Sequence, residues 1–282
     1  SSGFRLPASV AVSRSGGTAV EVDRAVRSMR RRSFHAPASS SAIQLGLAAA
    51  AVVLLGWLPG ARAEEFLAPR PFSVGEVLTY RVSFGLIGTG SGSLRVIPSL
   101  PLRDEPVVQL RFDFDGTIGP FAVTNHSRSW LSATRWASLR YEVEERSPFW
   151  SGQDVIDIFP DERRWAGTRE AGPTVSGGAL DELSFLYALR TLPLNPGRSF
   201  RLDRHFDSRR NPAVIRVLDL EVVRVPAGTF ETVRVELQVR DPRCGGGAVV
   251  RMNVSLDEFR IPVRIASRCP TESVLELQVH QP

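Results

Sequence analysis

From Leu78 the chain alternates apolar and polar residues one for one: Leu78, Tyr80, Val82, Phe84 and Leu86 against Thr79, Arg81, Ser83 and Gly85. Side chains of a β-strand point alternately to opposite faces, so this pattern dictates a strand with one buried and one wetted face. The same alternation returns at Val108 to Phe114, Leu139 to Val143, Val233 to Val239, Val250 to Leu256, Ile261 to Ile265 and Leu275 to Val279. Polar turns separate the runs, among them Pro226, Ala227 and Gly228, and Asp257 to Arg260. About ten strands joined in this way predict an all-β, antiparallel meander. One-sided burial makes it a barrel, a half-barrel or a sandwich.

Two segments depart from the pattern. Gly88, Gly90 and Gly92 precede Leu94 and Val96, and mark a strand whose backbone is closely approached. A phosphate-cradling loop should open a helix, and this one leads into a strand. Between residues 180 and 192, Leu180, Leu183, Leu186, Tyr187 and Leu189 recur at helical spacing, after Gly177 and Gly178 and before Pro193. That predicts one helix, with Asp181 and Glu182 in its first turn and Arg190 in its last, packed on the concave face of the sheet.

Met29 to Ala63 reads as a secretory signal peptide. Arg30 to Arg32 supply the positive end, Leu45 to Leu58 the apolar core, and Ala61, Arg62 and Ala63 the small-x-small cleavage pattern. Pro59 and Gly60 interrupt the run short of the ~20 apolar residues that a bilayer-spanning helix needs. Cleavage would leave Glu64 first, in a single β-rich domain over 64–282 exported to the periplasm or beyond the cell. Residues 1–28 have the composition of a disordered extension of the gene model.

The chain has 35 basic residues, all arginine, and 30 acids. With 8 arginines and 2 acids in residues 1–63, the remainder holds 27 against 28. The excess positive charge therefore belongs to the leader, and no nucleic-acid surface is implied. Cys244 and Cys269 flank a predicted hairpin, and export to an oxidising space predicts that they form a disulfide. In the chain-entropy model such a bridge stabilises by ~3 kcal/mol.

Phe112 to Ile118 spell F-D-F-D-G-T-I, which resembles the nucleophile motif of haloacid-dehalogenase-type phosphatases. There the first aspartate attacks phosphorus and the second serves as acid and base beside magnesium, roles that would fall to Asp113 and Asp115. That motif ends a parallel strand buried on both faces. Here Gln109 and Arg111 alternate with the apolar residues and put both aspartates on a wetted face. His126, His205 and His280 are far apart in sequence and read as surface residues, and no nucleophile elbow or metal-spaced histidine pair is present. Trp130, Trp136, Trp150 and Trp165 read as core or strand-end anchors, or as the lining of an apolar pocket.

Four phrases together resemble the bacterial exported family catalogued as domain of unknown function 3108. They are Pro71 to Phe84 (P-F-x-V-G-E-x-L-T-Y-x-V-S-F), Asp181 to Leu194 (D-x-L-S-x-L-Y-x-L-R-x-L-P-L), Pro226 to Phe230, and Asp257 to Val263. The resemblance implies an envelope location and a β-rich fold similar to the curved half-barrel of lipoprotein carriers, and carries over no catalytic residue. The expectation is a non-enzymatic binding or carrier module with no cofactor and no metal, holding an acyl chain or an extended peptide in an apolar groove. Tyr80, Tyr187 and Arg190 are the candidate lining residues, with ordinary core and capping roles as the alternative for each. The alternative is a structural or assembly partner in the envelope.

Overall fold

The computed structural model describes residues 70–85, 88–147, 150–241, 244, 247–268 and 272–282. The predicted signal segment, the residues before it, and Cys269 lie outside them. Eight strands come first: β1 (Val77–Phe84), β2 (Gly88–Pro98), β3 (Val107–Ile118), β4 (Phe121–Ser132), β5 (Ser138–Ser147), β6 (Trp150–Phe159), β7 (Arg164–Ala166) and β8 (Ala171–Pro173). A helix, α1 (Glu182–Leu189), leads to six more: β9 (Ser199–Leu202), β10 (Ala213–Val225), β11 (Gly228–Val239), β12 (Ala248–Ser255), β13 (Pro262–Arg268) and β14 (Glu272–Gln281).

All fourteen strands belong to one sheet, in the order β8-β7-β6-β5-β4-β3-β2-β1-β14-β13-β12-β11-β10-β9. The chain starts at the centre, walks outward to β8, crosses through α1 to the opposite edge at β9, and walks back until β14 pairs antiparallel with β1. The predicted antiparallel, all-β architecture is what forms, with fourteen strands among the described residues where the alternation counted about ten.

The sheet is rolled but not closed. Residues 179–180 bridge its two halves: Ser138 N–H donates to Ala179 O (2.9 Å), Leu180 N–H to Arg204 O (2.6 Å) and Phe206 N–H to Leu180 O (3.0 Å). The tip of the β10–β11 hairpin turns back on the centre of the sheet, where Ala227 N–H donates to Leu277 O (2.9 Å). Rolling gathers alternate residues of the long strands into one interior. Leu78, Tyr80, Val82, Leu94, Leu110, Val235, Val254, Val263 and Leu277 are all buried there.

The glycines of β2 do permit close approach. Gly90 pairs with Gly116 across β2 and β3, and a Cβ on Gly90 would sit 2.5 Å from Asp115 O and 2.6 Å from the Phe114 ring. Phe114 lies over this bare patch of backbone and meets Phe84 edge-on at 5.1 Å.

Helix α1 is shorter than its apolar spacing suggests. Asp181 is its N-cap and Arg190 its C-cap, so neither lies within the end turns. Leu183, Ser184, Phe185, Tyr187, Ala188 and Leu189 are all buried, because a helix apolar on nearly every side must be enclosed on nearly every side. It packs on β3 and β4 inside the roll. Its N-terminus is held by a buried network. Asp181 Oδ1 accepts from Leu183 and Ser184 N–H (2.9 Å each), Oδ2 accepts from Ser129 Oγ (2.6 Å), and Asp181 N–H donates to Ser138 Oγ (3.0 Å). Burial raises the Asp181 carboxyl against the lowering effect of these bonds.

Candidate functional site

The interior left over by α1 is a cavity of about 770 Å³. Strand register explains its wall. Leu94, Phe112, Ser127, Val143 and Asp154 form one row of cross-strand partners from β2 to β6, and all five line the cavity. Tyr141 and Ile156 pair in a second row, continuing the wall towards Trp165 of β7. Leu183 and Leu186 of α1 supply the helix side, and Ile265 and Leu275 of β13 and β14 complete the circuit. Both halves of the sheet therefore contribute to one predominantly apolar chamber.

A polar strip runs up the wall. Asn125 Nδ2 donates to Glu145 Oε1 (2.7 Å), Ser127 Oγ to Asn125 Oδ1 (2.9 Å) and Tyr141 Oη to Ser127 Oγ (3.4 Å). The remaining polar lining comes from Gln153 and Asp154 of β6, the β7–β8 turn, the start of α1, the segment before β10 and Asp241 after β11. Arg209 joins Asp207 (2.9 Å) and Glu170 (2.7 Å), while Arg210 joins Asp241 (2.8 Å) and Glu182. Burial alone would raise the Glu182 carboxyl. The neighbouring His205 ring and the charge of Arg210 outweigh it and hold the group at about 2.

His205 is not the surface residue that its sequence position suggested. It is buried, its Nδ1 accepts from Asp207 N–H (3.0 Å), and its Nε2 faces Glu182 Oε1 at 3.5 Å. The residue lies in the bend after β9 where the chain pairs with Leu180, so alternation gave the wrong face. His280 is also largely enclosed, its ring edge-on to Phe259, whereas His126 is more open.

Tyr80, Tyr187 and Arg190 are brought together, but away from the cavity wall. Arg190 grips Glu76 through both guanidinium ends (2.7 and 2.8 Å) and donates to the carbonyls of Pro71, Phe259 and Arg260. Side chains of both ions are 1% exposed. Tyr80 Oη donates to Pro262 O (3.0 Å), and Tyr187 packs edge-on against Phe72 at 4.9 Å. Burial pushes both phenols well up, so they are neutral groups in a closed core. Periodicity identified these residues as inward-facing; it could not tell packed interior from open interior.

Asp113 and Asp115 lie mid-strand in β3, antiparallel to both β2 and β4. Asp113 is engaged by Arg111 (2.7 Å) and His126 (3.0 Å). Burial opposes ionisation there, but those two partners hold its carboxyl below the usual range. The phosphatase motif therefore lacks its structural context, the end of a parallel strand. Among the described residues, no group of three or more His, Cys, Asp or Glu is placed to hold a metal ion. Trp165 is buried in the cavity wall and meets Phe206 edge-on at 5.3 Å. Trp136 packs against Phe72 with Arg70 over its ring. Cys244 is not a free thiol. No helix among the described residues is long and apolar enough to cross a membrane.

No curated protein matches the chain. Among solved structures, it is similar to a β-barrel-like protein of domain of unknown function DUF1849 from Brucella abortus, at 9% identity and a TM-score of 0.53. That match covers 74% of this chain and 97% of the other. A candidate exported protein with a YmcC-like fold from Bacteroides fragilis matches at 12% identity and a TM-score of 0.32, covering 76% of this chain and 99% of its own. The first likeness establishes a β-barrel-like fold and nothing further. The family model described as protein of unknown function (DUF3108) matches residues 79–274, and with that span covering most of the rolled sheet, the chain belongs to this family.

Proposed function

We propose that this protein is an exported, non-enzymatic binding or carrier module that holds an acyl chain inside its rolled sheet. The observation that carries the reading is the chamber itself: about 770 Å³, within the ~300–1,000 Å³ of pockets that enclose small ligands. It is walled by Leu94, Phe112, Val143, Ile156, Leu183 and Leu186. An acyl chain placed there gains ~0.8 kcal/mol per methylene withdrawn from water. Export rests on the Met29 to Ala63 leader pattern, and the Cys244–Cys269 bridge follows from it as part of the same proposal.

Native mass spectrometry of protein gently extracted from its own envelope tests the reading. The expected result is a retained mass in the acyl-lipid range, lost in Leu186→Trp, which fills the chamber from the helix side. A clean ligand-free mass, together with no binding of a fluorescent apolar dye, would overturn it.

A further inference from the structure

The wall of the chamber continues past the chamber to an exposed apolar lip. On β4, Phe121, Val123, Asn125 and Ser127 alternate onto one face, and the last two line the chamber. On β3, Phe112 lines it too, and Phe114 and Ile118 follow on the same face towards the β3–β4 turn. At that end Phe84, Gly88, Ile118 and Phe121 are directly opposite partners across β1 to β4. Phe84 and Ile118 close over Gly88, where a Cβ would lie 2.6 and 3.2 Å from them. Exposure rises along this path: Phe114 is 4% exposed, Phe84, Ile118 and Val123 are half-buried, and Phe121 is 54% exposed.

The lip and the helix lie on opposite sides of the chamber. Ser129, next on the same face of β4, bonds Asp181 at the start of α1 (2.6 Å), so α1 fills the roll on the side away from the β3–β4 turn. That turn is Gly119 and Pro120 alone, and a Cβ on Gly119 would meet none of the described residues within 4 Å. From Gly116 to Thr124 no residue carries a charge. An uncharged hairpin end with an exposed phenylalanine, continuous with an apolar chamber, has the character of a contact surface.

Deepening the acyl-chain reading, on which it rests, the geometry points to this lip as the place where the protein docks on a lipid bilayer. Phe121 and Ile118 enter the apolar layer, and an acyl chain passes between membrane and chamber along the path without crossing water. A protein partner fits less well: a specific interface needs about 800 Å² on each side, and these few side chains offer roughly a quarter of that. A bilayer asks only for apolar area presented at its surface.

The test floats the protein, as exported by its own cells, with vesicles of zwitterionic phosphatidylcholine. Wild type should float, and to the same extent after salt is added, because the contact is apolar. Ile118→Ser combined with Phe121→Ser should bind about tenfold more weakly. Leu100→Ser removes a leucine that is 86% exposed beyond the other end of β3, and should stay within about twofold of wild type. Phe121→Trp should add fluorescence that lipids brominated in their acyl chains quench, and Leu100→Trp should not.

Absence of flotation, equal flotation of wild type and the double serine variant, or quenching as strong at Leu100→Trp as at Phe121→Trp would overturn the docking assignment. A complex with another protein that is lost in Phe121→Ser, without flotation, would make the lip a protein contact instead. Nile red binding in the absence of vesicles separates this inference from the reading beneath it. Dye bound without flotation overturns the docking alone; flotation without dye binding upholds the docking and overturns the acyl-chain reading. The wild-type and tryptophan measurements decide the matter even where the double serine variant does not fold.

Discussion

Removing one partner of the Arg190–Glu76 pair is the sharpest test of how this fold is held. Glu76→Gln keeps the side-chain shape and a hydrogen-bonding oxygen but leaves the guanidinium without a counter-ion in a site where both partners are 1% exposed. Breaking a buried pair from one side costs about 3–5 kcal/mol, because the surviving charge is neither solvated nor neutralised. For a domain of this size, ~1 kcal/mol moves the melting temperature by about 2–4 °C, so a fall of about 6–20 °C is expected. Arg190→Met strands Glu76 and also takes donors from the carbonyls of Pro71, Phe259 and Arg260. It should cost at least as much. The double variant Glu76→Gln with Arg190→Met leaves no unpaired ion, although those carbonyls stay bare at about 1–3 kcal/mol for each buried group. It should therefore be less destabilised than the two single changes summed, with a coupling of ~2 kcal/mol or more. Urea denaturation followed by circular dichroism measures all three. Single variants within about 1 kcal/mol of wild type, or a double variant equal to their sum, would refute the reasoning.

Gly90→Val places side-chain atoms against Asp115 O and the Phe114 ring and should destabilise by about 1–3 kcal/mol in the same urea experiment, the usual range for overpacking; no change would mean that β2 and β3 can part. The Glu182 carboxyl is lowered from 4.5 to about 2 on folding, so its contribution is present above the unfolded value and disappears as pH falls through that window. The wild type should therefore lose stability between those values more steeply than Glu182→Gln; parallel curves would remove Glu182 from the account. Asp181 shifts upward, carries the opposite sign, and should be measured separately as Asp181→Asn. For the cysteines, an intact mass lower by two hydrogens before reduction is expected, and an unchanged mass on reduction would dismiss the bridge.

Strands with an uninterrupted apolar face, such as β1 and β11, were legible because nothing but alternation is needed to build them. β4 was not, since its interior positions include Ser127 and Ser129, both buried. Those small hydroxyls are there because the helix N-terminus approaches closely and Asp181 needs a donor from Ser129. The demand comes from another element and leaves no periodic trace in the strand itself. β10 hid for a different reason: the register against β11 slips between Val217 and Leu220, and the four residues 219–222 at and just beyond the slip are all exposed. Leu220 and Val222 are 62% and 67% exposed, so their hydrophobicity misreports their position. The cavity was legible only as the consequence of a curved sheet and an internal helix. Part of its polar lining comes from short segments at 169–170 and 207–210, which have no pattern to read.

The four phrases that carry the family resemblance have a common place in the structure. Pro71 and Glu76, Arg190, and Phe259 with Arg260 come from three of them and meet at one buried guanidinium. Tyr80, from the first, bonds the carbonyl of Pro262 in the last. The remaining phrase, Pro226 to Phe230, turns the hairpin whose Ala227 closes on Leu277. These contacts tie the start of β1, the end of α1 and the hairpins of the second half together, and so hold an open sheet in its rolled form. The charged lining of the chamber, from Glu145 and Asp154 to Arg169, Asp207 and Asp241, lies outside all four phrases except for Glu182. A rolled sheet needs its ends tied whatever it contains, whereas its contents are chosen by residues that bear none of that tension. The resemblance therefore speaks for the shell. The character of the chamber has to be read from the lining of this particular chain.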